Sequence, residues 1–144
     1  MCWVLCLVVV DRHMKAKTKR FQIQEVWEWS GDALDVEQWA FNAPLEEGLA
    51  SPGIAFLTYR WREFKFFVAT MVDWFALDED HQRNLLKDPW VFSQWLGQRE
   101  GAKGRALRDI LAYLLFPDHH ECILTMSHKR DIIKGFHQHW EVSN

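Results

Sequence analysis

The chain has 144 residues, of which 49% are hydrophobic and 26% are charged, a composition typical of one compact globular domain and unlike that of disordered segments. Its formal net charge of -3 at pH 7 excludes a global attraction to nucleic acid, so any phosphate contact would need a local basic patch. The three cysteines are an odd number in a chain long enough to form a core without disulfides, which indicates a cytoplasmic protein.

The opening run, residues 2–10, is strongly apolar and ends in three valines. It is shorter than the roughly 20 apolar residues that a membrane-spanning helix needs, and it lacks the features of a signal peptide, so we expect no membrane partner. Because β-branched residues favour strands, this run and the alternating segment 21–24 predict short β structure near the N-terminus. A helix is predicted over residues 32–41 and a loop over 48–53.

Residues 59–77 predict a long helix, because apolar residues recur at three- and four-residue steps on one side of it. A second apolar strip adjoins the first. The two strips are Trp61, Phe64, Val68, Met71 and Phe75, and then Phe66, Phe67 and Trp74. We therefore expect this helix to be covered on more than one side and to be central to the fold.

Two further helices are marked by their N-terminal residues. The acidic residues 78–80 suit the start of a helix that runs to Lys87. Asp88 followed by Pro89 is typical of an N-cap and a first helical residue, which predicts a short helix to Leu96.

The last two predicted helices lie near the C-terminus. An apolar stripe from Leu107 to Leu115 predicts a helix that stops at Pro117. Ser127 is predicted to cap a final helix whose apolar residues face inward. Those inward residues are Ile132, Ile133 and Phe136.

These elements predict a mainly α fold class, a compact helical domain with a short β segment at the N-terminus; an α+β fold is the alternative. Residues 1–47 are predicted to be an N-terminal segment with short strands and a helix, and residues 48–144 a helical domain.

The sequence predicts no catalytic site, metal or cofactor. His119 and Cys122 with a distant histidine offer donors that suit zinc, but their spacing matches no standard zinc motif. The glycine-rich stretch 101–105 lacks the Lys-Ser/Thr pair of a phosphate-binding loop. We therefore expect a protein that is not an enzyme, with a small zinc protein as the weakest alternative.

Two basic clusters are candidates for binding nucleic-acid phosphates, since each lies at a predicted helix start with aromatic residues nearby. The predicted phosphate contacts are Arg105, Arg108, Lys129, Arg130 and Lys134, with Trp90 or Trp95 as a stacking surface for bases. Basic residues are also common on any solvated helix face, so the sequence leaves open whether the two clusters converge.

Several motifs resemble those of McrB-type restriction proteins, in the region that those proteins carry ahead of their motor domain. The motifs are Gly48-Leu49-Ala50-Ser51-Pro52-Gly53, Tyr59-Arg60-Trp61, Asp88-Pro89-Trp90-Val91-Phe92 with Trp95-Leu96, Leu107-Arg108-Asp109-Ile110-Leu111, Leu114-Leu115-Phe116-Pro117-Asp118 and His128-Lys129-Arg130. The likeness covers residues 48–136, whereas residues 1–47 resemble no usual reader domain.

McrB-type proteins are GTP-driven motor subunits of modification-dependent restriction systems, in which an N-terminal region recognises DNA and a nuclease partner cuts it. The resemblance implies a role in anti-phage defence, as a non-catalytic DNA-binding or adaptor module. Its implied partners are DNA and a GTPase motor or nuclease subunit. The chain ends at Asn144 before any Walker-type loop, so GTP hydrolysis is not implied for it. The alternative is a protein-interaction module that docks to the motor or nuclease subunit.

Overall fold

A computed structural model of the chain describes residues 2–9, 13–35, 42–50 and 54–142. The parts of the predicted helix and loop at 36–41 and 51–53 lie outside these ranges. The described residues form helices, with one isolated parallel bridge between Val9 and Ala50 and no sheet. The predicted mainly α fold class is confirmed. The chain divides into two compact units, Met1–Arg60 and Trp61–Asn144, a boundary further along the chain than the predicted one at 47/48.

The first unit contains α1 (Cys2–Val8), α2 (Ala16–Glu28), a 3-10 turn (Ala43–Leu45) and α3 (Ile54–Thr58). The predicted N-terminal β structure is wrong, because the opening run forms α1 and segment 21–24 lies inside α2. The physical reason is burial on every side: residues 5–9 are all buried, and a short, wholly apolar run suits a buried helix as well as a strand. Residues 32–35 are not helical either.

Polar contacts in the first unit join α2 to the segment around the 3-10 turn. The ammonium of Lys19, a fully buried side chain, donates to the carbonyl oxygen of Leu45 at 2.6 Å. The guanidinium of Arg20 donates to the Asn42 side chain at 2.7 Å and pairs with Glu46. These bonds satisfy buried polar groups that would otherwise oppose folding.

The second unit contains most of α4 (Arg60–Phe75), followed by α5 (Glu79–Lys87), α6 (Pro89–Gly97), α7 (Ala106–Leu115) and α8 (Met126–Val142). All five correspond to predicted helices. No described helix of either unit is both long enough and apolar enough to cross a bilayer.

Two aspartates cap α5 and α6, and of these the Asp88 cap was predicted. The Asp78 carboxylate accepts from the backbone N–H of His81 at 2.9 Å, and this bond is the main reason why the pKa of Asp78 is lowered. The Asp88 carboxylate accepts from the N–H groups of Trp90 and Val91 at 2.8 and 3.1 Å. Asp88 is the single residue between the two helices.

The predicted cap of α8 is wrong by two residues. The helix begins at Met126, so Ser127 lies inside it, and the hydroxyl of Thr125 accepts from the backbone N–H of His128 at 3.4 Å. The predicted inward face of α8 is also wrong, because Ile132, Ile133 and Phe136 are all exposed.

Helix α4 buries the side that includes Phe66 of the second predicted strip, and not the side that carries the first strip. Its buried side chains are Glu63, Phe66 and Thr70. The strip formed by Trp61, Phe64, Val68, Met71 and Phe75, here called the α4 stripe, is exposed at four positions (61%, 52%, 44% and 77%), and Met71 is half-buried. The physical reason lies at residue 63, whose carboxylate binds the start of α7 and thereby turns that face inward.

Aromatic rings pack α4, α6 and the end of α7 together. The ring of Trp74 lies edge-on to those of Phe92 and Trp95, with centroids 6.4 and 5.7 Å apart. Phe92 also contacts Phe116, at 5.5 Å between centroids. Such tilted and edge-to-face pairs are the preferred arrangements of aromatic rings. These contacts therefore hold α4, α6 and the end of α7 against one another.

A candidate nucleic-acid interface

The buried carboxylate of Glu63 joins α4 to the start of α7. One of its oxygens accepts from the backbone N–H of Leu107 at 3.0 Å, and the other lies 3.5 Å from the Arg105 guanidinium. Arg105 occupies the N-cap position of α7 without making a side-chain cap of its own, so Glu63 supplies the missing acceptor. Desolvation nevertheless raises the pKa of Glu63. The contact holds Arg105 beside the first turns of α4.

A groove of about 360 Å³ lies between the first turns of α4 and the connection from α6 to α7. We call it the basic groove. Its lining includes four cationic side chains and a single carboxylate. The lining residues are Trp61, Arg62, Lys65, Phe66, Ala69, Glu100, Gly101, Lys103 and Arg105. The local charge is thus positive although the chain as a whole carries -3.

The mouth of the basic groove carries exposed cations and an exposed ring. Arg62, Lys65 and Lys103 are exposed, and neither lysine has an ion-pair partner among the described residues. The Trp61 ring is 61% exposed, and the guanidinium carbon of Arg62 lies 5.2 Å from its centroid. A cation over an indole face is a favourable arrangement that orients both groups and occupies that one face.

Two glycines shape the connection that forms one wall of the basic groove. Gly101 and Gly104 have φ angles of +76° and +73°, in the left-handed region where a side chain is strained. Between them, Ala102 is 2% exposed and anchors the connection in the core. The sequence therefore holds Lys103 outward on a tight turn between two glycines.

The two predicted basic clusters meet at Asp109. Its carboxylate pairs with Arg108 at 2.9 Å and with Lys129 of α8 at 2.5 Å. These groups line a second cavity of about 190 Å³, together with Ser93, Ala112 and His120. Because Asp109 offsets the charge of both cations, this cavity is a weaker anion site than the basic groove. Arg130 and Lys134 are exposed on α8 and lie outside both cavities.

The two tryptophans predicted to stack on bases differ in exposure. Trp90 is 65% exposed and contacts His120 edge-on, at 5.3 Å between centroids. Trp95 is half-buried against Trp74, and the Arg99 guanidinium covers it at 4.7 Å from its centroid. Of the two, Trp90 offers the open face.

Ser93 and His120 form a close pair of side chains between α6 and the end of α7. The serine hydroxyl lies 3.0 Å from Nε2 of His120, and that nitrogen also lies 3.3 Å from the carbonyl oxygen of Pro89. A carbonyl oxygen only accepts, so a bond to Pro89 requires the proton on Nε2. In the other tautomer Nε2 carries no proton and accepts from the serine hydroxyl, so the direction of this hydrogen bond follows the tautomer.

The donors considered for zinc do not converge. Among the residues that the structure describes, no three His, Cys, Asp or Glu side chains lie close enough to hold a metal ion together. Burial raises the pKa of the Cys122 thiol, and the neighbouring Glu121 carboxylate adds to the effect. Both disfavour the thiolate that would bind a metal.

Arg105 was predicted as a phosphate contact, whereas Trp61, Arg62 and Lys65 were not predicted as its neighbours in the groove. Their signal was present: two basic residues and a tryptophan lie within five positions at the start of a long helix. Their approach to residue 105, some forty positions later in the chain, follows only from the packing of α4 against α7.

The fold and the groove define a mainly helical protein that carries a cationic, aromatic surface. No family model, no curated protein and no solved structure matches the chain. The function of the protein is therefore inferred from the chemistry of the site itself.

Proposed function

We propose that this chain is a non-catalytic nucleic-acid-binding or adaptor module of a McrB-like restriction system, and that the basic groove binds the phosphates. The observation that supports the proposal is the convergence of Arg62, Lys65, Lys103 and Arg105 on one groove that contains a single carboxylate. The motif resemblance over residues 48–136 supports the restriction-system context.

The cations of the groove differ in how free they are to bind a ligand. Arg105 is held at the back of the groove by Glu63, which offsets part of its charge, so the lysines are the main free cations. Lys65 and Lys103 lie on opposite walls, one on α4 and the other between the two glycines. Long cationic side chains on two walls suit a phosphate backbone that runs between them, which gives affinity without sequence preference.

Replacing both lysines with alanine is expected to weaken binding to nucleic acid and to flatten its salt dependence. Each lost phosphate contact should reduce the slope of log K against log salt by about 0.7–0.9, so the double variant should lose roughly 1.5. Binding would be measured by fluorescence anisotropy with methylated duplex, unmethylated duplex and single strands, from about 50 to about 200 mM salt.

Two controls locate the effect. Lys87→Ala removes an exposed lysine at the end of α5, away from the groove, and should leave the slope unchanged. Arg130→Ala/Lys134→Ala tests the predicted contacts on α8. If this second variant alone flattened the slope, α8 would be the phosphate surface and the assignment to the basic groove would be wrong. Absence of binding at low salt would remove the nucleic-acid proposal altogether.

A second candidate function, association with another protein, is favoured by the α4 stripe. Its steps of three, four, three and four residues are those of helices that pair by knobs-into-holes packing. The occupant that we propose is a second copy of this chain in antiparallel orientation. That orientation places the cations Arg62 and Lys65 of one copy near the acidic residues 78–80 that follow α4 in the other.

Sedimentation of Val68→Lys tests this second function. Val68 is 44% exposed in the middle of the α4 stripe, and Val91, 45% exposed on α6, is its matched control. We expect the wild type and Val91→Lys to self-associate and Val68→Lys to be monomeric, because a buried ammonium in the seam is costly. A wild-type chain that stays monomeric up to about 1 mM would contradict the proposal.

A further inference from the structure

We infer that the basic groove accepts an unpaired base of single-stranded DNA, with the Trp61 ring as the stacking surface and the surrounding cations on the flanking phosphates. This inference rests on the proposed nucleic-acid function and names its ligand. It also assigns the stacking role to Trp61, whereas the sequence predicted Trp90 or Trp95.

The position of the Trp61 ring carries the argument. The ring is 61% exposed and lines the same groove as Lys65 and Lys103. Trp90 is equally exposed, at 65%, but it belongs to the lining of neither cavity. Stacking on an aromatic side chain combined with cations along the backbone is the general way in which proteins bind single strands.

The size of the groove limits what it can hold. Its volume of about 360 Å³ lies at the lower end of the range of roughly 300–1,000 Å³ that is usual for small-ligand sites. That space suits one base with its sugar and does not admit a folded domain or the width of a duplex. The Arg62 guanidinium lies over one face of the Trp61 indole, so a base would stack on the opposite face.

A duplex would leave the ring without a partner. In a double helix the faces of each base are covered by the neighbouring base pairs, so a protein ring reaches them only after a base is flipped out, which costs a few kcal/mol. A single strand offers the base faces without that cost. The geometry of an exposed ring among cations is therefore matched to an unpaired base.

The test compares two single strands of equal charge, an oligothymidylate of about 12 nucleotides and an abasic strand of the same length. The full chain is used, with Trp61→Ala, Trp61→Phe and Trp90→Ala, and binding is followed by anisotropy of labelled strands. Quenching of tryptophan fluorescence in the wild type and in Trp61→Phe gives an independent readout of contact with the ring.

We expect the wild type to bind the oligothymidylate roughly tenfold or more tightly than the abasic strand. Trp61→Ala should lose this difference, Trp61→Phe should keep most of it, and Trp90→Ala should keep all of it. Loss of the difference in Trp90→Ala alone would overturn the inference. Equal binding of both strands by the wild type would also overturn it while leaving phosphate binding intact, whereas no binding of any strand would overturn the proposed function as well.

Discussion

Phe66→Ala is expected to lower the free energy of unfolding by about 3–5 kcal/mol. The Phe66 side chain is 2% exposed on the inner face of α4, where truncation removes buried apolar surface and leaves a cavity that the packed helices fill only partly. The loss would be measured by urea unfolding, followed by circular dichroism and by tryptophan fluorescence.

Phe64→Ala is the matched control, because the same residue type lies two positions earlier on the same helix with 52% of it exposed. We expect a change within about 0.5 kcal/mol for this variant. The comparison is made at a concentration where the chain is monomeric, because the proposed second copy would cover Phe64. Similar losses for the two variants under that condition would contradict the described face of α4.

Glu63→Ala is expected to cost about 1–3 kcal/mol, since the buried N–H of Leu107 loses its acceptor. Glu63→Gln keeps an acceptor oxygen at the same place and should stay within about 1 kcal/mol of the wild type. If both variants lost the same amount, the carboxylate would not act as the cap of α7.

The same residue gives the second unit a pH-dependent stability. Because burial raises the pKa of Glu63, the folded chain retains this proton to a higher pH than the unfolded chain does. The stability that this bound proton contributes is fully present at pH values below the pKa that Glu63 has in the unfolded chain. It is lost as the pH rises through the higher pKa that Glu63 has in the folded chain. Unfolding curves between about pH 4 and 7 should therefore show a fall in the wild type that Glu63→Gln reduces; parallel curves would exclude this linkage.

The helices that the sequence predicted correctly have local signals. Asp78, Asp88 and Pro89 act within one turn, and Pro117 ends α7 through its own ring, so no knowledge of the rest of the chain is needed. The prediction of a strand for the opening run was wrong, because a short segment that is buried on all sides has the same wholly apolar pattern in a strand and in a helix.

The prediction of which side of α4 is buried went wrong for a different reason. Periodicity identified two apolar strips, and only Phe66 of the second strip is buried. The Glu63 carboxylate turns inward beside it because it accepts from the backbone N–H of Leu107, 44 positions later. The same long-range packing explains the candidate site: Arg105 was predicted as a cation, whereas its approach to Lys65 and Trp61 depends on that contact.

The single residue between α5 and α6 has a consequence for how this part of the chain moves. Asp88 ends one helix and caps the next with two hydrogen bonds, and Pro89 fixes the backbone angle directly after it. The backbone between the two helices therefore has little torsional freedom, so α5 and α6 should move together as one rigid body. The connection that bears Gly101 and Gly104 and forms one wall of the basic groove follows directly after α6, so this rigid pair of helices supports that wall from one end.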